Sequence, residues 1–328
     1  MDLNEEWDSF LKDEYTSVVT CSTTGPTPLS SPIYISTNTI ISFLNQSIDL
    51  KTTFWNIPVL PYSIPDIGVI KKQMKFNSTS VEEVDSIEDN VKEYDYGYCT
   101  ILQHIENSKG MIPYKDIRKV TIGISKKDIV SYRVKQKGAF YNCFVLILRV
   151  HIGVFKEFHV KIFNTGKIEI PGVQNMDHIP VIIETLLNVL RPMYPTICYN
   201  KSCEETVLIN SNFNCGYFIN RSALYQLLIT KYNISAVYDS CSYPGIQCKI
   251  YYDDGVTTIP ASIAISFMIF RTGSILIVGK CTDKVIREIY QYLVDILFEE
   301  YSLVVDSNCV HSKKETPVRK IKKYILLK

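Results

Sequence analysis

His159-Val160-Lys161-Ile162-Phe163-Asn164-Thr165-Gly166-Lys167-Ile168-Glu169-Ile170-Pro171-Gly172 has a counterpart later in the chain. That counterpart is Ser266-Phe267-Met268-Ile269-Phe270-Arg271-Thr272-Gly273-Ser274-Ile275-Leu276-Ile277-Val278-Gly279. Overlaid, the two read Phe-x-Thr-Gly-x-Ile-x-Ile-x-Gly, with the aromatics 107 residues apart. A strand, a tight Thr-Gly turn and a second strand make each a β-hairpin. A long amphipathic stretch follows each one, Asp177 to Leu190 and Asp283 to Phe298, with apolar residues at helical spacing. A unit used twice predicts a duplicated body with a pseudo-two-fold surface.

Working outward, the first half predicts a strand over Ile33 to Leu44 and a helix opened by the capping residue Asp49 and closed by Pro58 and Pro61. A basic strand is expected over Gly68 to Phe76, and a strong strand over Phe140 to Val150. Side-chain alternation sets Phe144, Leu146 and Leu148 on one face of the latter, with Tyr141, Val145, Ile147 and Arg149 on the other. In the hairpin, Val160 and Ile162 point one way, and His159, Lys161 and Phe163 the other. A Phe on a polar face is the feature to explain. The second half repeats the plan. Thr206 to Phe218 is a strand with Asn210, Asn212 and Asn214 on one face, and Asn220 caps a helix over Arg221 to Tyr232. Ile263, Ile265, Phe267 and Ile269 form the buried face of its hairpin, with Met268 and Phe270 on the open one.

Between about residues 77 and 137 an insertion starts acidic and turns basic, with strand character over Val120 to Val130. The expected organisation is an N-terminal segment (1–30), a first repeat (31–200, carrying the insertion), a second repeat (201–305) and a basic tail (306–328). A short helix over Glu5 to Tyr15 is expected in the first of these, and tail lysines such as Lys313 and Lys320 are either phosphate contacts or ordinary surface charge.

Bulk properties exclude several classes. Net charge is +1, with 27 lysines and eight arginines, so no global field draws the chain onto nucleic acid. No apolar run reaches the roughly 18 residues needed to cross a bilayer, and the acidic N-terminus (Asp2, Glu5, Glu6, Asp8) does not read as a signal peptide. An intracellular protein is expected. Ten cysteines without a C-x-x-C pair, and five dispersed histidines, supply no zinc pattern, so reduced and mostly buried thiols are expected. No phosphate-binding loop, H-E-x-x-H or nucleophile elbow occurs, and no catalytic role or cofactor is assigned. Lys71, Lys72 and Lys75 read as ordinary surface charge.

In order and duplication these motifs resemble the TATA-box-binding protein (TBP) family, and more closely the TBP-like factors of large nucleocytoplasmic DNA viruses. Ile48-Asp49-Leu50-Lys51-Thr52, Ile162-Phe163-Asn164-Thr165-Gly166-Lys167, Tyr243-Pro244-Gly245 and Ile269-Phe270-Arg271-Thr272-Gly273 carry the match. The viral branch is suggested by Phe54-Trp55-Asn56-Ile57-Pro58, by Lys71 to Phe76 and by Asn214 to Arg221. The resemblance implies an α+β fold, a duplicated TBP-like saddle whose curved antiparallel sheet carries its helices on the convex face. It implies a non-enzymatic initiation factor that enters the minor groove of an A·T-rich promoter and bends it. Its implied partners are double-stranded DNA, an RNA polymerase of viral origin and a bridging initiation factor, with no membrane. The implied location is the host cytoplasm (a viral factory) or nucleus, with packaging in virions.

Carried over by position, the intercalating wedges are Tyr141 and Phe163 in the first repeat and Tyr243 and Phe270 in the second. A shifted alignment puts Phe140 or Phe144 in place of Tyr141. Backbone contacts fall to Arg149, Lys161, Lys167, Lys249 and Arg271, and base reading to Asn38 with Asn210 or Asn212. The family's Val-x-Thr in the last hairpin strand is absent. Glu169 and Pro171 stand there in the first repeat, Leu276 and Val278 in the second. A carboxylate beside phosphates is unfavourable, so the first repeat is expected to grip weakly or to read a different sequence. The alternative is a protein-interaction scaffold of the same fold with little DNA binding.

Overall fold

The computed structural model describes residues 26–130, 140–252 and 263–306. The expected helix over Glu5 to Tyr15, the basic residues Arg133, Lys135 and Lys137, and the tail beyond 306 lie outside them.

The described residues form an α+β fold around one 12-stranded antiparallel sheet. The strands are β1 (Tyr34–Leu44), β2 (Gly68–Ser78), β3 (Gly97–Glu106), β4 (Tyr114–Gly123), β5 (Cys143–Ile152) and β6 (Val154–Phe163). They continue as β7 (Lys167–Val173), β8 (Tyr199–Asn214), β9 (Ser235–Val237), β10 (Gly245–Tyr252), β11 (Ile263–Phe270) and β12 (Ser274–Gly279). Helices are α1 (Leu50–Asn56), α2 (Val81–Lys92), α3 (Lys126–Val130), α4 (Ile179–Leu190), α5 (Arg221–Thr230), α6 (Asp283–Glu299) and α7 (Tyr301–Val304). Their order across the sheet is β3-β4-β2-β5-β6-β7-β1-β8-β12-β11-β10-β9. Outward from the central β1–β8 pair, the run β1-β7-β6-β5-β2 matches β8-β12-β11-β10-β9, and β4 and β3 extend the first run.

The described part of the insertion therefore adds two strands: β3, which the sequence reading lacks, and β4, which lies earlier than the strand expected over Val120 to Val130. The alternation from Tyr114 to Gly123 makes β4, and the stretch read as strand beyond it turns into α3. Its acidic opening is α2, whose N-cap Ser80 accepts a hydrogen bond from the Glu83 amide, with Val84, Ile87 and Val91 turned inward.

One apolar layer lies under each run. In the first, Phe144, Leu146, Leu148, Val160, Ile162, Ile168 and Ile170 pack against Phe54, Ile182, Leu186 and Leu190 of α1 and α4. In the second, Ile265, Phe267, Ile269, Ile275 and Ile277 pack against Leu224, Leu228, Ile289, Leu293 and Leu297 of α5 and α6. Both layers lie on one side of the sheet, since Asn38 stands opposite both Val173 of the first layer and Ile209 of the second. The other side is open. Cysteines divide: Cys143, Cys215 and Cys248 are buried, whereas Cys198, Cys203 and Cys241 are exposed.

The two Thr-Gly turns have matching surroundings. The Gly166 carbonyl accepts from the Leu44 amide at 2.8 Å, and the Gly273 carbonyl from the Cys215 amide at 2.9 Å. The residue after each hairpin aromatic also accepts: Asn164 from Ile48 at 3.0 Å, and Arg271 from Ile219 at 2.9 Å. Ile48 and Ile219 each precede a helix N-cap, Asp49 and Asn220. Both glycines have positive φ, +80° and +76°. A Cβ on Gly166 would stand 2.3 Å from the Gln46 carbonyl oxygen, and one on Gly273 2.3 Å from that of Tyr217. Gly166→Ala and Gly273→Ala are each expected to lower unfolding stability by about 2–4 kcal/mol, read by denaturant titration.

Lys72 is not surface charge. It lies on the helix side of β2, fully buried, and its ammonium donates to the carbonyls of Phe54 (2.7 Å), Trp55 (3.2 Å) and Ile57 (2.7 Å). These are the orphan carbonyls at the end of α1, so a core lysine completes that helix. Burial pushes the ammonium down to about 8, from an ordinary value of 10.5. Lys72→Met leaves those carbonyls unsatisfied and is expected to destabilise by about 3 kcal/mol at neutral pH. Between pH 8 and 10.5 the unfolded chain binds more protons at this site than the folded one. Wild-type stability therefore rises with pH relative to Lys72→Met across that window, measurable by parallel denaturation curves.

Candidate nucleic-acid interface

Alternation along each strand decides which side chains reach the open side. Backbone pairing sets Cys143 opposite Phe163 in the first half and Gly245 opposite Phe270 in the second. Tyr141 and Tyr243 each stand two residues before those partners, so an aromatic pair sits at the same register in both halves. Phe144 is fully buried in the helix-side layer and cannot be a wedge. Phe140 and Tyr141 are both exposed, at 62% and 57%. Tyr243 and Phe270 are half-buried against each other, with ring centroids 6.0 Å apart, and the Tyr243 hydroxyl donates to the Met268 sulfur at 3.4 Å. In the first half, cations lie over the rings: Lys75 over Tyr141 at 3.4 Å, Lys161 over Phe140 at 5.0 Å, and Lys167 over Phe163 at 5.4 Å. Lys75 beside it holds the Tyr141 phenol below its usual value.

The expected base readers part company. Asn210 faces the open side and donates from Nδ2 to Thr37 Oγ1 at 3.1 Å, while Asn212 stands opposite Tyr34 and Leu276. Asn38 faces the helices, between Val173 and Ile209. The two open-side positions of β1 near the centre are Thr37, opposite Asn210, and Thr39, opposite Leu208. Asn38 shares parity with the buried Ile40 and Leu44, so strand alternation carried the signal.

The expected phosphate contacts divide as well. Lys249 is exposed beside Tyr251 (5.4 Å to the ring), with no ion pair among the described residues, and Lys167 is half-buried at the hairpin turn. Arg271 donates to Asp306 at 3.2 Å. Lys161 and Glu169, directly opposite each other, form an ion pair at 2.5 Å. Arg149 is 6% exposed and donates to the carbonyls of Ile64 (2.6 Å) and Tyr62 (2.9 Å), with the Tyr62 ring 4.6 Å away. It holds the loop between α1 and β2 onto the sheet.

Beside it, Lys71 pairs with Asp128 of α3 at 2.7 Å, and the Lys126 amide donates to the Glu157 carboxylate. The insertion thus covers the outer part of the first half's open side. A cleft of about 960 Å³ remains between the Tyr62 loop, α3 and the β6–β7 edge at His159 and Pro171. On the second half the open side carries Leu208, Asn210, Asn212, Ser266, Met268, Leu276 and Val278, all half-buried and all neutral. Among the described residues no group of three or more His, Cys, Asp or Glu side chains gathers as a metal site, and no helix is long and apolar enough to cross a membrane.

No protein-family model and no curated protein sequence matches the chain. Among solved structures, Methanococcus jannaschii TBP is similar at 12% identity, over 82% of this chain and 99% of that one, with a TM-score of 0.39. A likeness of that size leaves the strand order and the residues to carry the reading of the surface.

Arg149→Ala is expected to release the Tyr62–Ile64 loop and lower stability by about 2 kcal/mol, while Lys249→Ala leaves stability within about 0.5 kcal/mol. Thermal unfolding of both variants checks this.

Proposed function

We propose that this protein is a non-enzymatic DNA-binding transcription initiation factor, whose open sheet face lies in the minor groove of a promoter duplex and bends it. The observation that carries the reading is the pair of aromatics at equivalent register in each half, Tyr141 with Phe163 and Tyr243 with Phe270, on the side away from the helices. Aromatic rings at matching places on the side away from the helices lie outside the apolar layer of either half. Apolar wedges that unstack a base step and kink the duplex are what such rings supply. The neutral, short-chained surface between them in the second half suits the floor of the minor groove, where A·T pairs present only acceptors. Asn210 and the hydroxyl of the half-buried Thr37 offer donors at the centre. In this reading the sheet is a saddle over the bent duplex and the helices form its convex back. That back offers a surface for a bridging initiation factor and an RNA polymerase of viral origin. The place of action is then wherever that polymerase transcribes: a viral factory, the nucleus or the virion.

A mobility-shift series on A·T-rich and random duplexes, with bending read by energy transfer, tests the reading. The expected result is salt-dependent binding that prefers one duplex class, with a log–log slope shallower by about 0.9 in Lys249→Ala. Phe270→Ala is expected to weaken binding by roughly tenfold and to reduce the bend. Binding without salt dependence, or none, favours the protein-interaction scaffold instead.

A further inference from the structure

The two halves present different chemistry at one equivalent rung. Lys161 lies two residues before Phe163 and pairs across to Glu169. Met268 lies two residues before Phe270 and pairs across to Leu276. An ion pair thus stands in the first half where the second has two apolar side chains. Both members of the ion pair remain reachable, at 21% and 22% side-chain exposure, on the open side of the sheet. We infer that Glu169, held by Lys161, makes the first half a reader of a G·C pair, while the Met268–Leu276 rung confines the second half to A·T. This rests on the minor-groove reading above.

A carboxylate near phosphates is repelled, but one neutralised by an ammonium 2.5 Å away approaches as a dipole. Its remaining lone pairs only accept hydrogen bonds. In the minor groove A·T pairs show acceptors alone, which oppose a carboxylate. G·C adds a single donor, the guanine 2-amino group. Glu169 therefore selects for guanine. Lys161 retains N–H donors for the flanking purine N3 and pyrimidine O2 acceptors. At the Met268–Leu276 rung the preference reverses, because an apolar pair would leave a guanine amino group buried without a partner. The bound site is asymmetric, and the asymmetry orients the protein on it.

The experiment selects duplexes from a random pool with the full chain, then replaces the preferred dG with inosine, which pairs with dC but lacks the 2-amino group. The expected consensus is A·T-rich in one half and contains a G·C pair in the other, and the inosine exchange weakens binding about tenfold. The double variant Lys161→Met/Glu169→Leu copies the other half's rung and is expected to lose the inosine effect and accept A·T in both halves. Its folding is checked by thermal unfolding. If it does not fold, the inosine exchange on the wild-type chain decides alone. Equal binding of the dG and inosine duplexes, or an inosine effect that survives in a folded double variant, overturns the inference and leaves the DNA-binding reading standing. Absence of salt-dependent binding to any duplex removes both.

Discussion

The organisation of the sheet depends on a backbone fastening made twice. Each Thr-Gly turn is bonded through main-chain groups to the segment that leaves the central strand and enters a capped helix. Gly166 and Asn164 accept from Leu44 and Ile48, and Gly273 and Arg271 accept from Cys215 and Ile219. Only a residue without Cβ fits so close to the Gln46 and Tyr217 carbonyls at that φ. Because main-chain groups make the bond, the side chains at the turn are free to differ. Asn164 and Lys167 stand in one copy, Arg271 and Ser274 in the other. The fastening also fixes where Phe163 and Phe270 emerge, one residue before the accepting carbonyl in each case.

That separation of frame from face explains how two halves with the same strand order present unlike surfaces. On the helix side, alternation puts Ile, Leu, Val and Phe in both halves, with the buried Lys72 and with Asn38 as exceptions. On the open side nothing in the packing dictates charge. The first half there holds Lys71 with Asp128, Lys161 with Glu169, and Arg149 clasped by two carbonyls. Each cation is already satisfied, and the insertion supplies part of that satisfaction. The second half keeps the middle of its open side neutral and carries Lys249, opposite Ser266, outside any ion pair among the described residues.

The hairpins, helix caps and apolar faces were legible because each is periodic and local. Hairpin glycines, helix caps at Asp49 and Asn220, and apolar alternation are each written within a few residues. The shared buried face of Phe144, Leu146 and Leu148 also followed from parity. Long-range polar partnerships were hidden. Arg149 reads as a solvent-facing cation until the Tyr62 loop, 87 residues away in sequence, is found against it. Lys72 reads as surface charge until the end of α1 is seen above it. Sequence spacing carries no trace of either, because a lysine or arginine reaching a backbone carbonyl imposes nothing on the residue that owns the carbonyl. Asn38 is a different case: its parity with the buried Ile40 and Leu44 already sets it on the helix side.

The central β1–β8 pair joins the two halves directly, with Thr37 opposite Asn210 and Thr39 opposite Leu208. Bulges interrupt its register after Ile35, Thr39 and Ile41, and a bulge locally increases twist and bends the strand that carries it. The seam nevertheless keeps both halves in one sheet, so the frame sets the separation of the two aromatic pairs. A ligand that engages both must adapt to that spacing. On the proposed reading, aromatic pairs on a fixed frame engage a straight duplex, whose base steps are stacked along their whole length, only by unstacking it. On the proposed DNA-binding reading, deformation of the duplex is a condition of engaging both halves, and sequence dependence enters through the stiffness of the steps as well as through contacts to their edges.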